Sequence, residues 1–255
     1  MFKLPISGLK VTICQPTGAE DLLLQESRDL GIGLSLRLLD RLAHCPHEPA
    51  ADWSSLTITD FEALLLTLRR VALGDVIRAE TNCAACGAKA DVSFRIADLL
   101  ASQKPRLLRG VEKIDGNGFY RVSGEDVQFR LPSCGELRDM DQTANGELEL
   151  IRRCVQPPDV PSRMRRQIER AMEALAPRFS RELTGECPEC HAGMNFYFDV
   201  QQFVLRELRD HAAMIFEDVH LLALHYKWPE ENILALPRSR RELYAEALRS
   251  QGSAA

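Results

Sequence analysis

The chain has no apolar run long enough to span a membrane, and its first residues, MFKLPISGLKVTICQ, lack the apolar core of a signal peptide. Both absences make the cytosol the expected compartment. Positive charge is also short: 32 Lys and Arg stand against 37 Asp and Glu, a formal net charge of -5, which argues against wrapping nucleic acid. There is no Gly-rich phosphate cradle, no nucleophile elbow and no clear acid–base constellation. The histidines of the longest apolar-striped stretch do not combine either. His220 and His225 are five apart, not the four that put two imidazoles on one helix face. His211 and His225 share a face but would lie about 21 Å apart at 1.5 Å per residue. Nothing here argues for an enzyme.

What is present is an ordinary globular composition. The 255 residues, 45% hydrophobic and 27% charged, suffice for one large domain or two small ones with a real core. Eight cysteines stand out. In a reducing compartment they read as thiols or metal ligands rather than disulfides. Cys83 and Cys86 open CAACGAKADVSF, and Cys187 and Cys190 open CPECHAGMNFYF. Thiolates two residues apart can point at one ion, and zinc takes four in a tetrahedron, so the pairs predict one structural Zn2+ in a split zinc ribbon. The alternative is two unrelated reduced pairs; a thioredoxin-like site is disfavoured because neither pair opens a helix. Closing so long a loop costs on the order of 2 kcal/mol more than closing a short one. Structural zinc contributes roughly 10–16 kcal/mol, so the metal wins if the insert folds by itself. Cys14 and Cys154 sit in apolar stretches and read as core; Cys134 has no ligand spacing. Cys45 lies beside His44 and His47, a trio that could bind metal but reads better as a loop.

The two halves echo one another. Val92, Phe94 and Ile96 follow Cys86 at the offsets at which Phe196, Phe198 and Val200 follow Cys190, a period-two strand signal. VTICQPTGAED from Val11 resembles VQFRLPSCGEL from Val127, and each holds a capping box, Thr17 with Glu20 and Ser133 with Glu136. This predicts a degenerate tandem repeat over about 11–100 and 127–205, each copy running strand, capped helix, helix, knuckle, strand. Chance similarity of common punctuation is the competing explanation.

Elsewhere, residues 57–73 predict a helix with Thr59 as N-cap and Glu62 three later. Gly116-Asn117-Gly118 suits a hairpin turn. Residues 145–155 and 161–176 read as helices, the second with a basic, solvated face. The stretch 200–226 predicts one long helix with a core stripe of Val204, Leu208, Ala212, Ile215, Val219, Leu222 and Tyr226, and a thinner stripe of Phe203, Met214 and Leu221. A short helix follows Pro229, and another starts near Pro237, where Ser239 and Glu242 offer a capping pattern.

VHLLALHYKWPEENILALPRSRRELY resembles the C-terminal signature of T4-type baseplate hub assembly proteins of contractile phages and related injection systems. His220, Tyr226, Trp228, Ile233, Leu234, Arg240, Arg241 and Tyr244 match it. RRVALGDVIRAETNCAACG and LPSCGEL also look like the zinc-bearing branch of that family. The resemblance implies a helper or minor component in assembling a baseplate and hub, in the bacterial host cytoplasm, with hub, spike or tape-measure proteins as partners and no catalytic residues. Tyr, Trp and Arg dominate interface energetics, so Tyr226, Trp228, Arg238, Arg240, Arg241 and Tyr244 are the expected docking residues; a plain helical lid packed by its aromatics is the competing reading. The expected fold is α+β: an N-terminal repeat (1–100), a second repeat (101–205), C-terminal helices (206–250) and a disordered tail (251–255). The alternative function is a zinc-ribbon nucleic-acid-binding regulator, favoured by RMRRQIER and RSRRE and opposed by the acidic total.

Overall fold

The computed structural model describes residues 1–46, 51–114, 118–140 and 146–252. The expected turn at Gly116-Asn117, His47 and residues 253–255 lie outside them.

The first repeat begins with β1 (Phe2–Lys3) and β2 (Lys10–Ile13), which pair antiparallel. The chain then turns into α1 (Gly18–Glu26) through the predicted box: the Thr17 hydroxyl accepts from the Ala19 N–H, and Glu20 accepts from the Thr17 N–H at 2.9 Å. Next come α2 (Ile32–Leu42) and β3 (Ala43–His44), which pairs with β2. After a 3-10 turn at Trp53–Ser55 comes α3 (Ile58–Leu73). Its Leu64, Leu65, Leu66 and Leu68 are all buried, as suits a helix packed on every side. A hairpin of β4 (Val76–Asn82) and β5 (Lys89–Arg95) then carries the first knuckle at its tip, and α4 (Ile96–Ser102) closes the copy.

The second repeat opens with β6 (Val111–Lys113), β7 (Phe119–Val122) and β8 (Gln128–Arg130). From β8 onward it retraces the first. It holds a capped helix α5 (Cys134–Met140), α6 (Gly146–Cys154), β9 (Val155–Gln156) paired with β8, and α7 (Ser162–Leu175). A hairpin of β10 (Arg181–Glu186) and β11 (Gly193–Phe198) follows, and then α8 (Val200–His211). The second box is also made: Glu136 accepts from the Ser133 N–H at 3.0 Å, and the Ser133 hydroxyl accepts from the Glu136 N–H at 3.2 Å. The α+β fold of two degenerate repeats is therefore present, with matching element order from β2 in the first copy and from β8 in the second.

The copies interlock. The last helix of the second copy, α8, packs on α1, α2 and α3 of the first, burying Val200, Val204, Leu205 and Leu208 in the first core. Arg69 on α3 holds Glu207 on α8 through two bonds, 2.8 and 2.6 Å. A second core lies between the β6–β9 sheet and Ile168, Ala171 and Leu175 of α7.

Three expectations need correction. The long helix is two: α8 ends at His211, residues 212–214 turn, and α9 spans Ile215–Tyr226. The buried Ala212 N–H bonds back to the carbonyls of Leu208 and Arg209, closing the helix, and the turn aims α9 at the later helices while it keeps α1 as a neighbour. The single stripe is lost with it, so that Val219 is half-buried and Tyr226 is 40% exposed. The cap of α3 is Thr57, whose hydroxyl accepts from the Asp60 N–H at 3.3 Å. Thr59 lies inside the helix with its hydroxyl buried and without a partner among the described residues. Finally, α10 (Glu230–Leu234) follows Pro229 as expected, but α11 (Arg238–Gly252) starts before Ser239, which therefore does not cap it. That helix also runs two residues into the expected disordered tail.

Glu62, read as part of a cap, has a different task. Buried to 2% exposure, it accepts from the Arg178 guanidinium at 2.7 Å and from the Phe179 and Ser180 N–H groups at 2.7 and 3.2 Å. It ties α3 to the entrance of β10. Glu62→Ala, which leaves these donors unpaired, should cost roughly 2–4 kcal/mol in denaturant unfolding. Thr57→Ala should cost about 1 kcal/mol. Thr59→Val should cost nothing measurable. Equal losses for the two threonine variants would put the cap in the wrong place.

Candidate metal centre

Each knuckle is a tight turn held by its own backbone. The Cys83 N–H donates to Ala88 O at 2.8 Å and the Gly87 N–H to Cys83 O at 2.8 Å. The Cys187 N–H donates to Ala192 O at 2.9 Å and the His191 N–H to Cys187 O at 3.0 Å. The turn needs a left-handed residue at the same place in both copies, filled by Gly87 (φ 73°) and His191 (φ 58°). Glycine meets that need freely; histidine meets it at some cost.

The hairpins bring the four sulfurs within 4.8 Å of one another. The pairing is reciprocal: Cys83 Sγ lies 3.7 Å from Cys190 Sγ, and Cys86 Sγ lies 3.7 Å from Cys187 Sγ. Cys83 and Cys187 are buried beside Ala90 and Met194, and Cys86 and Cys190 are exposed. First residue against second, inner against outer, the site has a pseudo-twofold axis. The Cys86 and Ala85 N–H groups point at Cys83 and lower its pKa to about 7, favouring thiolate. On Cys86 the Ala88 N–H pulls the same way, but the neighbouring thiols Cys190, Cys187 and Cys83 and burial outweigh it and raise the pKa to about 12. Four sulfurs so close cannot all ionise unless a cation sits among them. The cluster could hold a metal ion, and with four protein ligands it would leave no open coordination position.

The other cysteines stand apart. Cys134 and Cys154 are buried, and burial raises their thiols to about 12 and 11. Cys14, expected in the core, is exposed because β2 turns Val11 inward and the alternate positions out. His211, His220 and His225 are exposed on α8 and α9.

The expected docking residues divide. Arg240 is exposed, and Tyr226, Trp228 and Tyr244 form one aromatic cluster, with Trp228 stacked on Tyr226 at 4.9 Å and edge-on to Tyr244 at 5.4 Å. Tyr226 and Tyr244 are 40% and 37% exposed. Arg238 and Arg241, in contrast, are buried at 7% and 1% exposure and cannot meet a partner. The start of α11 lies antiparallel to the loop before α1, with the Gly18 N–H donating to Leu236 O and the Arg238 N–H to Pro16 O. This sets both guanidiniums on Asp21 of α1. Arg241 Nη2 is 2.5 Å from Asp21, its Nε 3.1 Å from Asp218, and Arg249 reaches Asp218 at 2.6 Å. Nothing larger than glycine fits at position 18, where a Cβ would stand 2.8 Å from Leu234 Cα. Sequence reasoning missed this network, although Asp218 lies on the buried stripe between Ile215 and Leu222, where an acid needs a partner.

The profile of the family described as T4 bacteriophage base plate protein matches residues 2–157, and the chain belongs to that family. The family is one of structural phage-tail components. The match takes in the first knuckle and the second capping box and ends just after β9; the second knuckle and the C-terminal signature lie beyond it. No curated protein and no solved structure matches the chain.

The lid network gives a test. Asp21→Ala leaves buried Arg238 without its carboxylate and Arg241 with Asp218 alone, and should cost roughly 3–5 kcal/mol. Arg240→Ala, on the same helix but exposed, should change stability by less than about 0.5 kcal/mol. Similar melting shifts for the two would contradict the burial of the network.

Proposed function

We propose that the protein is a non-enzymatic assembly factor or minor component of a contractile tail's baseplate and hub. It acts by protein–protein binding in the bacterial host cytoplasm, on hub, spike or tape-measure proteins. The observation that carries this beyond family membership is where the apolar surface lies. Among the described residues, six of the ten exposed large hydrophobics, Met214, Phe216, Leu224, Tyr226, Leu243 and Tyr244, fall on α9, α11 and the turn before α9, while Met1, Val76, Leu107 and Tyr197 are scattered elsewhere. Apolar surface concentrated in one region marks an interaction face. Around the aromatic cluster, Arg240 supplies charge. The nucleic-acid alternative is weakened because Arg238 and Arg241, two of the three arginines of its second basic run, are spent on Asp21.

Within this reading Cys83, Cys86, Cys187 and Cys190 hold one structural Zn2+. Zinc–sulfur bonds of about 2.3 Å put tetrahedral sulfurs roughly 3.8 Å apart, and the two close pairs stand at 3.7 Å. The ion would lock the repeats together and take no part in chemistry.

Docking is tested by co-expressing the chain with the hub, spike and tape-measure proteins of its own tail. Replacing Tyr226 and Tyr244 together by Ala should weaken capture of one of them by roughly tenfold or more, while the chain stays folded and loses only the stability of the ring contacts. Unchanged co-purification with every one of them would overturn the proposal. Trp228 is a poorer choice because it is half-buried.

A further inference from the structure

The hairpins β4–β5 and β10–β11 are separate two-stranded sheets. Between them lies a cleft of about 580 Å³. Its floor is apolar: Val92, Phe94, Leu183, Met194 and Phe196 line it, and several are only partly buried. Its walls are strand edges. On β5 every residue from Ala90 to Arg95 lines the cleft, and on β10 every residue from Leu183 to Glu186. Consecutive residues of one strand point to opposite faces, so a cavity touched by all of them sits at the strand's edge.

The hydrogen-bond alternation shows what those edges offer. The Cys83–Ala88 bond fixes Ile77–Phe94 and Ala79–Val92 as the bonded pairs of the first hairpin, and the Ile96 N–H to Asp75 O bond agrees. The N–H and C=O groups of Asp91 and Ser93 therefore point away from β4. By the same count from Cys187–Ala192, those of Thr184 and Glu186 point away from β11. Among the described residues no strand pairs with either edge. Both rows of backbone groups face the cleft. At the end far from the knuckles, Arg181 lines the cleft with its Nε buried and without a hydrogen-bond partner among the described residues. Asp91, Asp98 and Glu186 also line the cleft, yet the Arg181 Nε bonds none of them, so this donor is left for an anionic or carbonyl group of an occupant.

We propose that this cleft accepts a strand: an extended segment of a partner protein, apolar at alternate positions and carrying one carboxylate. It adds to the free edge of β5, faces β10 on its other side, lays its apolar side chains on Phe94 and Phe196, and sets its carboxylate on Arg181. Main-chain bonds to an exposed edge give affinity in this mode, and the pockets give specificity. The occupant is not a second copy. The edges that would pair are the walls of the cleft itself, and a space of about 580 Å³ takes one extended segment rather than a folded hairpin. No lid residue lines the cleft, so the inference stands or falls apart from docking at the aromatic cluster.

The test uses the metal-replete full-length protein and a displayed library of random peptides about ten residues long. Panning should enrich peptides with alternating apolar residues and an Asp or Glu. Ser93→Pro removes one outward donor without touching the ladder to β4, as an edge position allows; it should weaken the selected peptides roughly tenfold. Arg181→Gln should weaken the carboxylate peptide roughly tenfold, and its Gln analogue not at all. If Ser93→Pro melts below the parent, the selected peptide with alternate amides N-methylated serves instead and should fail to bind. Absence of enrichment, or peptides that bind both variants as tightly as the parent, would overturn the proposal. So would concentration-dependent self-association lost in Ser93→Pro, which would make a second copy the occupant.

Discussion

Four sulfurs from hairpins far apart in the chain meet within 4.8 Å, and the rest of the architecture follows from that meeting. Each hairpin alone is a marginal two-stranded ribbon. Held tip to tip, they press Phe94 against Phe198 at 5.3 Å and deliver α8 into the core of the opposite repeat. The Arg69–Glu207 pair and the Glu62 anchor then fasten α3 to what precedes and follows the second knuckle. The long closed loop contains a folded repeat with its own core, so the ordering cost of the insert is met locally and the cluster has only to join two bodies.

The same docking device appears twice around this joint. Ser133, capping α5, bridges to Thr57 at the head of α3, with the Cys134 N–H on Leu56 O. Thr17, capping α1, bridges to Pro237 at the head of α11, with the Gly18 N–H on Leu236 O. The lid thus occupies at α1 the place that α3 occupies at α5. This explains why it is fixed by a buried charge network: Asp21 has no counterpart at Leu137 of α5, and the lid brings the arginines that neutralise it. The outer side of the lid is left free for its aromatic cluster.

Features written in local chemistry were legible from the residues alone. The two knuckles and both capping boxes depend on fixed offsets along the chain, and each is found where its spacing puts it; the expected order of elements lacked α2, β3 and β4. Features set by distant contacts were not. HAAM at 211–214 contains no helix breaker, and the break there follows from α9 packing on α1 and α11. Thr57 and Thr59 are equally good caps by composition; only the partnered hydroxyl distinguishes them. Arg238 and Arg241 look like interface residues until Asp21 is placed beneath them. The cleft between the hairpins has no sequence mark, because strand edges become neighbours only after the knuckles have met.

A metal ion holding those knuckles together is the central proposal, and metal content read beside thermal stability tests it most directly. Carefully metal-replete protein should contain one zinc ion per chain. A strong chelator, or Cys187→Ser, should remove the ion and lower the melting temperature together. Protein that contains neither zinc nor iron, and whose four single Cys→Ser variants melt like the parent, would contradict it.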